Sequence, residues 1–329
     1  MRSLWDARGV PDTPLANTLA AVLVALAGGV GAARLLRGLA AVVDPATIVA
    51  VVNTGDDTVL HGLHVSPDLD TVTYTLAGAV NAETGWGLAG ETWTVMEALA
   101  TYGKGDLAWF RLGDRDLATH LYRTSRLHDG AALSTVTAEI AERWHVAVRL
   151  VPMSDDRVET RLTVPGHGEI GFQDYFVGHR HAVPVEVVRF AGADRARPGP
   201  GVLDAIHAAD RIVICPSNPM VSIGPILAVP GIREAVAARR EAVVAVSPII
   251  AGAALKGPAD RLMAELGHDP SVTGVARLYA DLAASLVIDT ADRDRAGAVA
   301  ATGVRPVVAP AIMHGPAEAA ALARTVLAA

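Results

Sequence analysis

The 329-residue chain has a single cysteine, Cys215, hardly any lysine beside its arginines, and only 4% aromatic residues. One thiol excludes an intrachain disulfide framework and any cysteine-rich zinc site, and it suits a reducing, cytoplasmic compartment. The basic residues never gather into a run and the formal net charge is -7, so the electrostatic footprint of a nucleic-acid binder is missing. Small molecules are therefore the expected partners, not nucleic acid or a membrane. The apolar stretch Thr18 to Ala27 is too short to cross a bilayer. It runs straight into Gly28-Gly29-Val30-Gly31, which makes it a buried strand ahead of a turn, not a signal segment. No G-x-x-x-x-G-K-[ST] sequence exists anywhere, which argues against a P-loop NTPase.

What is present is a hydrophobic content of 51%, enough for an extensive core, with 31 glycines suited to close helix-on-sheet packing. Apolar runs alternate with helical segments, the pattern of an α/β protein with a mostly parallel sheet and helices on both faces. Strands are expected at Ala21 to Ala27, Thr47 to Val52, Val146 to Val151, Arg211 to Cys215, Ala242 to Ser247, Leu286 to Asp289 and Arg305 to Ala309. Asp68 to Arg143 has helical spacing and reads as a helical insertion. A small β-rich excursion follows at Val158 to Val188, a hairpin around Pro165-Gly166-His167-Gly168. Residues 1–19 look like a loose leader, and 20–329 like one domain with an inserted lobe at about 68–190.

Four motifs carry chemistry. The glycine turn Gly28, Gly29, Gly31 leads from a strand into a helix, where exposed backbone N–H groups favour phosphate, although close packing selects glycines too. It is not a dinucleotide fingerprint: Arg34 stands where the third glycine would be, and Asn53 where an acid would hold a ribose. Asn53-Thr54-Gly55-Asp56-Asp57 follows the second strand, with Asp68 and Asp70 a short loop later. Carboxylates crowded at a strand's carboxyl edge would repel one another unless a cation neutralised them, and hard oxygen ligands of this kind suit Mg²⁺, although turns and helix N-caps favour the same residues. The third motif, Asp114, Arg115, Asp116 and His120, is either a polar recognition element or a capped helix start. Last, Pro216, Ser217 and Asn218 form a rigid polar loop after an apolar strand, and Lys256 on the corresponding loop one strand later is placed to meet a phosphate.

Together GGVGAARLL, NTGDD, SPDLDTVTYTLAG, Gly85-Trp86, LGDRDLATHL, PSNPMVSIGPIL and SPIIAGAALKGPA resemble, in order, the 2-phospho-L-lactate transferase family of coenzyme F420 biosynthesis, in its actinobacterial branch. The resemblance implies a Rossmann-like core with an added lobe, commonly dimeric. It also implies an Mg²⁺-dependent transfer of a phosphoenolpyruvyl or 2-phospholactyl group from its guanosine-diphosphate conjugate to the deazaflavin Fo, releasing GMP. Asp56 and Asp70 would be the leading metal ligands, with Asp57 and Asp68 beside them and Asp56, Asp57 and Asp70 the catalytic set. The glycine turn and the Pro216 to Pro219 loop would hold the guanosine diphosphate, and Asp114, Arg115 and His120 would help enclose Fo. A rival reading, a non-catalytic UDP-sugar-binding regulator of the same superfamily, is disfavoured by NTGDD and LGDRDLATHL.

Overall fold

The structure, a computed structural model, describes residues 22–102 and 109–329. Its strands, in chain order, are β1 (Leu23–Ala27), β2 (Ile48–Val52), β3 (Thr58–Leu60), β4 (Leu63–Val65), β5 (Arg149–Pro152), β6 (Glu159–Val164), β7 (Gly168–Gly171), β8 (Val187–Ala191), β9 (Arg211–Ile214), β10 (Val243–Val246), β11 (Ile249–Ile250), β12 (Ala253–Ala254), β13 (Ser285–Ile288) and β14 (Arg305–Val308). Seven of them form one parallel sheet in the order β14-β13-β10-β9-β1-β2-β5. Every strand expected from an apolar run is in it, shifted by a few residues at the ends. Ala21, the expected first residue of β1, and the expected leader lie outside the described residues.

The sheet is buried on both faces because successive side chains of each strand point opposite ways. Val24, Leu26, Ile212, Ile214 and Ala245 pack to one side against Val202, Ile206, Val236 and Val275. Leu23, Ala25, Ala27, Val213 and Val244 pack to the other against Leu35, Leu36, Leu39, Leu322 and Val326. The first helix on that second face is α1 (Gly29–Ala40). The glycine turn is itself the first turn of this helix. At the centre, β1 pairs with β2 on one side and β9 on the other, and the strand order runs outward in both directions from this pair. A sheet of this kind opens a crevice at the carboxyl ends of the strands where the order reverses. The loops after β1, β9 and β2 therefore meet at the place where a ligand is expected.

Two excursions flank that crevice. Between β2 and β5 lie the β3–β4 hairpin and four helices, α2 (Pro67–Leu76), α3 (Thr94–Ala100), α4 (Asp116–His128) and α5 (Leu133–Arg143). Helix α2 packs on α1 and α5 on β5, so both ends of this insertion join the core layer. Its middle has a small core of its own, Leu60, Val65, Met96, Leu112 and Leu117. Between β5 and β9 the expected hairpin grows into a three-stranded antiparallel sheet in the order β7-β6-β8, with Leu162, Val164, Phe172 and Tyr175 beneath it. The aromatic run Phe172 to Phe176 is thus mainly hairpin core. Among the described residues no single helix is long and apolar enough to cross a membrane.

On the second face α1 packs closely on the C-terminal helix Pro316–Ala328, where a Cβ on Gly38 would lie 2.2 Å from the Ala319 carbonyl oxygen. In a free helix Gly→Ala stabilises by about 0.5–1 kcal/mol. Here the sign should reverse: Gly38→Ala is expected to destabilise by about 1–3 kcal/mol through overpacking, read as a lower urea midpoint. An unchanged or higher midpoint would show that the two helices are not in this contact.

Candidate active site

The crevice is built from short loops locked to one another. Gly28 N–H donates to Ser217 Oγ at 3.3 Å, and that hydroxyl donates back to the Gly28 carbonyl at 2.8 Å. A Cβ on Gly31 would stand 2.2 Å from the Pro216 carbonyl oxygen, so glycine is required there by contact between the two loops. Asn218 accepts from the Met220 N–H at 2.9 Å and caps the turn that follows. The Ser217 hydroxyl and the Asn218 side-chain carbonyl are therefore engaged in rigidifying the loop. The Asp68 carboxylate lies against the glycine turn: a Cβ on Gly28 would stand 2.9 Å from its Oδ2.

Five carboxylates converge on this edge, Asp56, Asp57, Asp68, Asp70 and Asp116, and all but Asp57 and Asp116 are fully buried. Asn53 orders the first part of the cluster. Its amide donates to Asp68 Oδ2 at 2.9 Å and its carbonyl accepts from the Gly55 N–H at 2.8 Å. Ser66 Oγ donates to Asp57 Oδ2 at 2.7 Å. Burial, then the neighbouring Asp68, raises the pKa of Asp56 well above the ordinary carboxylate range, and burial does the same for Asp57. Burial pushes Asp68 up to about 6. Asp56 Oδ1 and Asp57 Oδ1 are buried without any hydrogen-bond partner. An orphaned carboxylate oxygen inside a protein is costly unless something neutralises it, and a hard divalent cation is the chemistry that fits such a donor set.

Among the described residues, one Arg or Lys side chain is buried. Arg123 of α4, 2% exposed, grips both oxygens of Asp70 through its two terminal nitrogens. Its Nη1 also lies 3.3 Å from His120 Nδ1, while His120 Nε2 lies 3.3 Å from Asp116 Oδ2. Tyr74 of α2 donates to Asp116 at 2.6 Å, and it lies 2.9 Å from the Thr119 hydroxyl. For Asp116, burial alone would raise the pKa, but His120, Tyr74 and Arg123 outweigh it and hold the group below the ordinary range. Asp70, Asp116 and His120 each offer an atom within 4.8 Å of the others, a spacing that could hold a metal. The Arg123 guanidinium engages both oxygens of Asp70, so the buried carboxylate oxygens without any hydrogen-bond partner are those of Asp56 and Asp57 in the NTGDD loop.

The LGDRDLATHL motif divides. Asp114 accepts from Thr92 Oγ1 and the N–H groups of Thr94 and Val95, which caps α3. Arg115 donates to the Ala89 carbonyl and braces the loop before it. Of the residues expected to enclose a ring, only His120 turns toward the acidic cluster. Sequence reasoning passed over Arg123 and Tyr74. Arg123 lies three residues after His120 and seven after Asp116, one helical face, and that spacing was the available signal. The β-rich lobe closes the cluster from the other side: Thr160 N–H donates to the Gly55 carbonyl at 2.7 Å and Gln173 Nε2 to the Asp56 carbonyl at 3.3 Å. Asp56, Asp57, Phe172 and Gln173 line a cavity of about 50 Å³ between lobe and core. A larger cavity of about 250 Å³, behind Pro219 and Met220, has no carboxylate in its wall and no tie to this chemistry.

Residues 23–308 match the family model described as 2-phospho-L-lactate transferase CofD. The chain belongs to this family. It is accordingly a transferase, and the resemblance read from the motifs is borne out. Among curated CofD-family relatives, the phosphoenolpyruvate transferase of Kitasatospora aureofaciens is 50% identical over 311 residues, which cover 93% of this chain and 97% of that protein. The phosphoenolpyruvate transferase of Streptomyces griseus is 49% identical over 309 residues, again 93% and 97%. That of Mycolicibacterium smegmatis is 41% identical over 316 residues, 92% and 96%. Among solved structures, a UPF0052-family protein from Bacillus halodurans superposes with a TM-score of 0.60 at 18% identity, covering 94% of this chain and 100% of that one. At that identity the likeness is of fold alone.

Two predictions follow from the cluster's charge. Arg123→Met removes the guanidinium that pairs with Asp70 inside the carboxylate cluster and should destabilise the protein by about 3–5 kcal/mol, whereas adding Asp70→Asn should restore most of the loss. Denaturant melts of the single and double variants measure this, and a neutral single variant would refute the pairing. The second concerns pH. Because Asp68 titrates in the folded chain at about 6, above its usual 3.8, its favourable contribution is complete below the lower value and is lost as pH rises through the upper one. Without metal, the wild type should therefore lose stability from about pH 4 to about pH 6, a fall that Asp68→Asn reduces; equal slopes would contradict it.

Proposed function

We propose that this CofD-family chain transfers a phosphoenolpyruvyl or 2-phospholactyl group from its guanosine-diphosphate conjugate to the deazaflavin Fo, giving dehydro-F420-0 or F420-0 and GMP, with Mg²⁺ as the metal. The observation that carries this reading is the pair of unpartnered carboxylate oxygens on Asp56 and Asp57, buried at the switch point of the sheet beside the glycine turn. Asp56 and Asp70 would hold the ion, with Asp57 and Asp68 beside them. Asp70 keeps about half of its roughly four acceptor positions free of Arg123. When bound, Mg²⁺ neutralises the diphosphate and the crowded carboxylates together.

The chain's own residues supply position and a proton acceptor. The backbone of Gly28, Gly29 and Gly31 and the rigid Pro216, Ser217, Asn218 loop frame the guanosine diphosphate, with Lys256 toward its phosphates. His120, fixed between Asp116 and Arg123, keeps Asp70 and Asp116 in register. The terminal hydroxyl oxygen of Fo's ribityl chain bonds to the phosphorus that carries the acid, and the bond from that phosphorus to the bridging oxygen breaks as GMP leaves. The hydroxyl proton passes to a carboxylate of this cluster beside the attacking oxygen, and Asp57, outside the leading metal pair, is the acid placed for it. The buried single cysteine, raised well out of reach of ionisation by burial, supports a cytoplasmic enzyme, and the family resemblance supports a homodimer.

The test is a mass-spectrometric assay with Fo, Mg²⁺ and each guanosine-diphospho acid. A metal-dependent Fo adduct released with GMP is expected, abolished by EDTA. Asp56→Asn should lower turnover by about 100-fold or more while the circular-dichroism spectrum stays unchanged. Wild-type turnover in that variant would remove Asp56 from the metal site, and no adduct with any donor would overturn the transferase assignment made here for these substrates.

A further inference from the structure

Helices α2 and α4 are joined by more than the ion pair of Asp70 with Arg123. Asp70 and Tyr74 stand one turn apart on α2, while Asp116, His120 and Arg123 follow one another along a single face of α4. The Arg123 guanidinium grips Asp70, and its Nη1 lies 3.3 Å from His120 Nδ1. His120 Nε2 lies 3.3 Å from Asp116 Oδ2, and Asp116 Oδ1 accepts from the Tyr74 hydroxyl at 2.6 Å. The series that leaves α2 at Asp70 therefore returns to it at Tyr74. Acid and donor alternate around a closed ring of side chains.

Each link fixes the next. A guanidinium nitrogen can only donate, so the imidazole accepts at Nδ1 and carries its ring proton on Nε2, toward Asp116. Asp116 keeps that orientation because its other oxygen is held by Tyr74. The phenol is itself immobile: it is fully buried, its hydroxyl also meets Thr119 Oγ1 at 2.9 Å, and Trp144 packs edge-on against it with ring centres 5.3 Å apart. Burial, and then the charges of Asp70 and Asp116, push the phenol above its ordinary range, so it keeps the proton that it donates. Without that hydroxyl, Asp116 would be a buried acid short of a donor and would compete with Asp70 for Arg123.

We propose that Tyr74 is a positioning residue for Asp70: through Asp116 and His120 it sets the Arg123 guanidinium in place, and so decides which acceptor positions of Asp70 stay open to a divalent cation. The inference rests on the reading of Asp70 as a ligand of that cation. It adds that the orientation of this ligand is governed by a phenol one helical turn away, acting around the ring and not by direct contact. Partners that orient a metal ligand commonly contribute about 10- to 100-fold in metal affinity.

The experiment titrates Mn²⁺ into the full chain and reads the free ion by electron paramagnetic resonance. Tyr74→Phe, which keeps the ring, should weaken binding by about 10-fold. Asp116→Asn breaks the same link from its other side and should do the same. Because one acts through the other, the double variant should bind no more weakly than the poorer single one. In the imidazole nitrogen NMR spectrum of the metal-free chain, His120 should report the Nε2–H form alone, and a mixture of both tautomers in either single variant, a change that loosened packing by itself does not produce. Unchanged Mn²⁺ affinity or an unchanged His120 signal in folded Tyr74→Phe overturns the positioning role and leaves the transferase reading intact, and so do losses that add in the double variant. If the wild type binds no Mn²⁺, the reading of Asp70 as a metal ligand fails and the positioning role fails with it.

Discussion

Mutual repulsion among buried carboxylates is the constraint around which the rest of this molecule is arranged. Asp56, Asp57, Asp68, Asp70 and Asp116 face one another with a single guanidinium among them. Burial strengthens that repulsion by lowering the local dielectric, which is why three of the five are driven toward protonation. The asymmetry of the cluster is informative. On the α4 side every acid has been answered by Arg123, His120 or Tyr74, whereas on the NTGDD side oxygens remain free. The protein has balanced one half of the cluster itself and left the other half for a cation that it does not encode.

That division explains why the fold is organised as it is. A parallel sheet brings the ends of β1, β2 and β9 together without any long-range design of the loops, because the strand order alone makes them neighbours. The glycine turn, the acidic loop and the proline-rich loop inherit that proximity. What the sheet cannot supply is a cover, and the two excursions provide it from opposite sides. The helical insertion contributes the counter-charge, and the antiparallel lobe contributes hydrogen bonds to the backbone of the acidic loop.

The parts legible in the sequence were those fixed by local pattern. Each core strand is apolar on both faces and bounded by turn residues, so β1, β2, β9, β10, β13 and β14 declare themselves by composition, and only their ends shift. Asp56, Asp57, Asp68 and Asp70 were legible because acids repeated at strand ends serve no packing purpose. Arg123 was not, since its meaning depends on α4 facing α2, a tertiary fact. The split of LGDRDLATHL was hidden for the same reason: Asp114 and His120 are six residues apart on one helix start, yet one caps a neighbouring helix and the other enters the core. The bond from Tyr74 to Asp116 joins segments far apart in the chain, and no local spacing announces it.

The hydrogen bonds from Thr160 to Gly55 and from Gln173 to Asp56 have a mechanical meaning. The acidic loop is tied by its main chain to the small β-lobe as well as to the sheet that it leaves. A rotation of that lobe would therefore carry the carboxylates along with it, so that opening the crevice and loosening the grip on a cation become a single motion. Product departure and relaxation of the metal shell would then share one hinge.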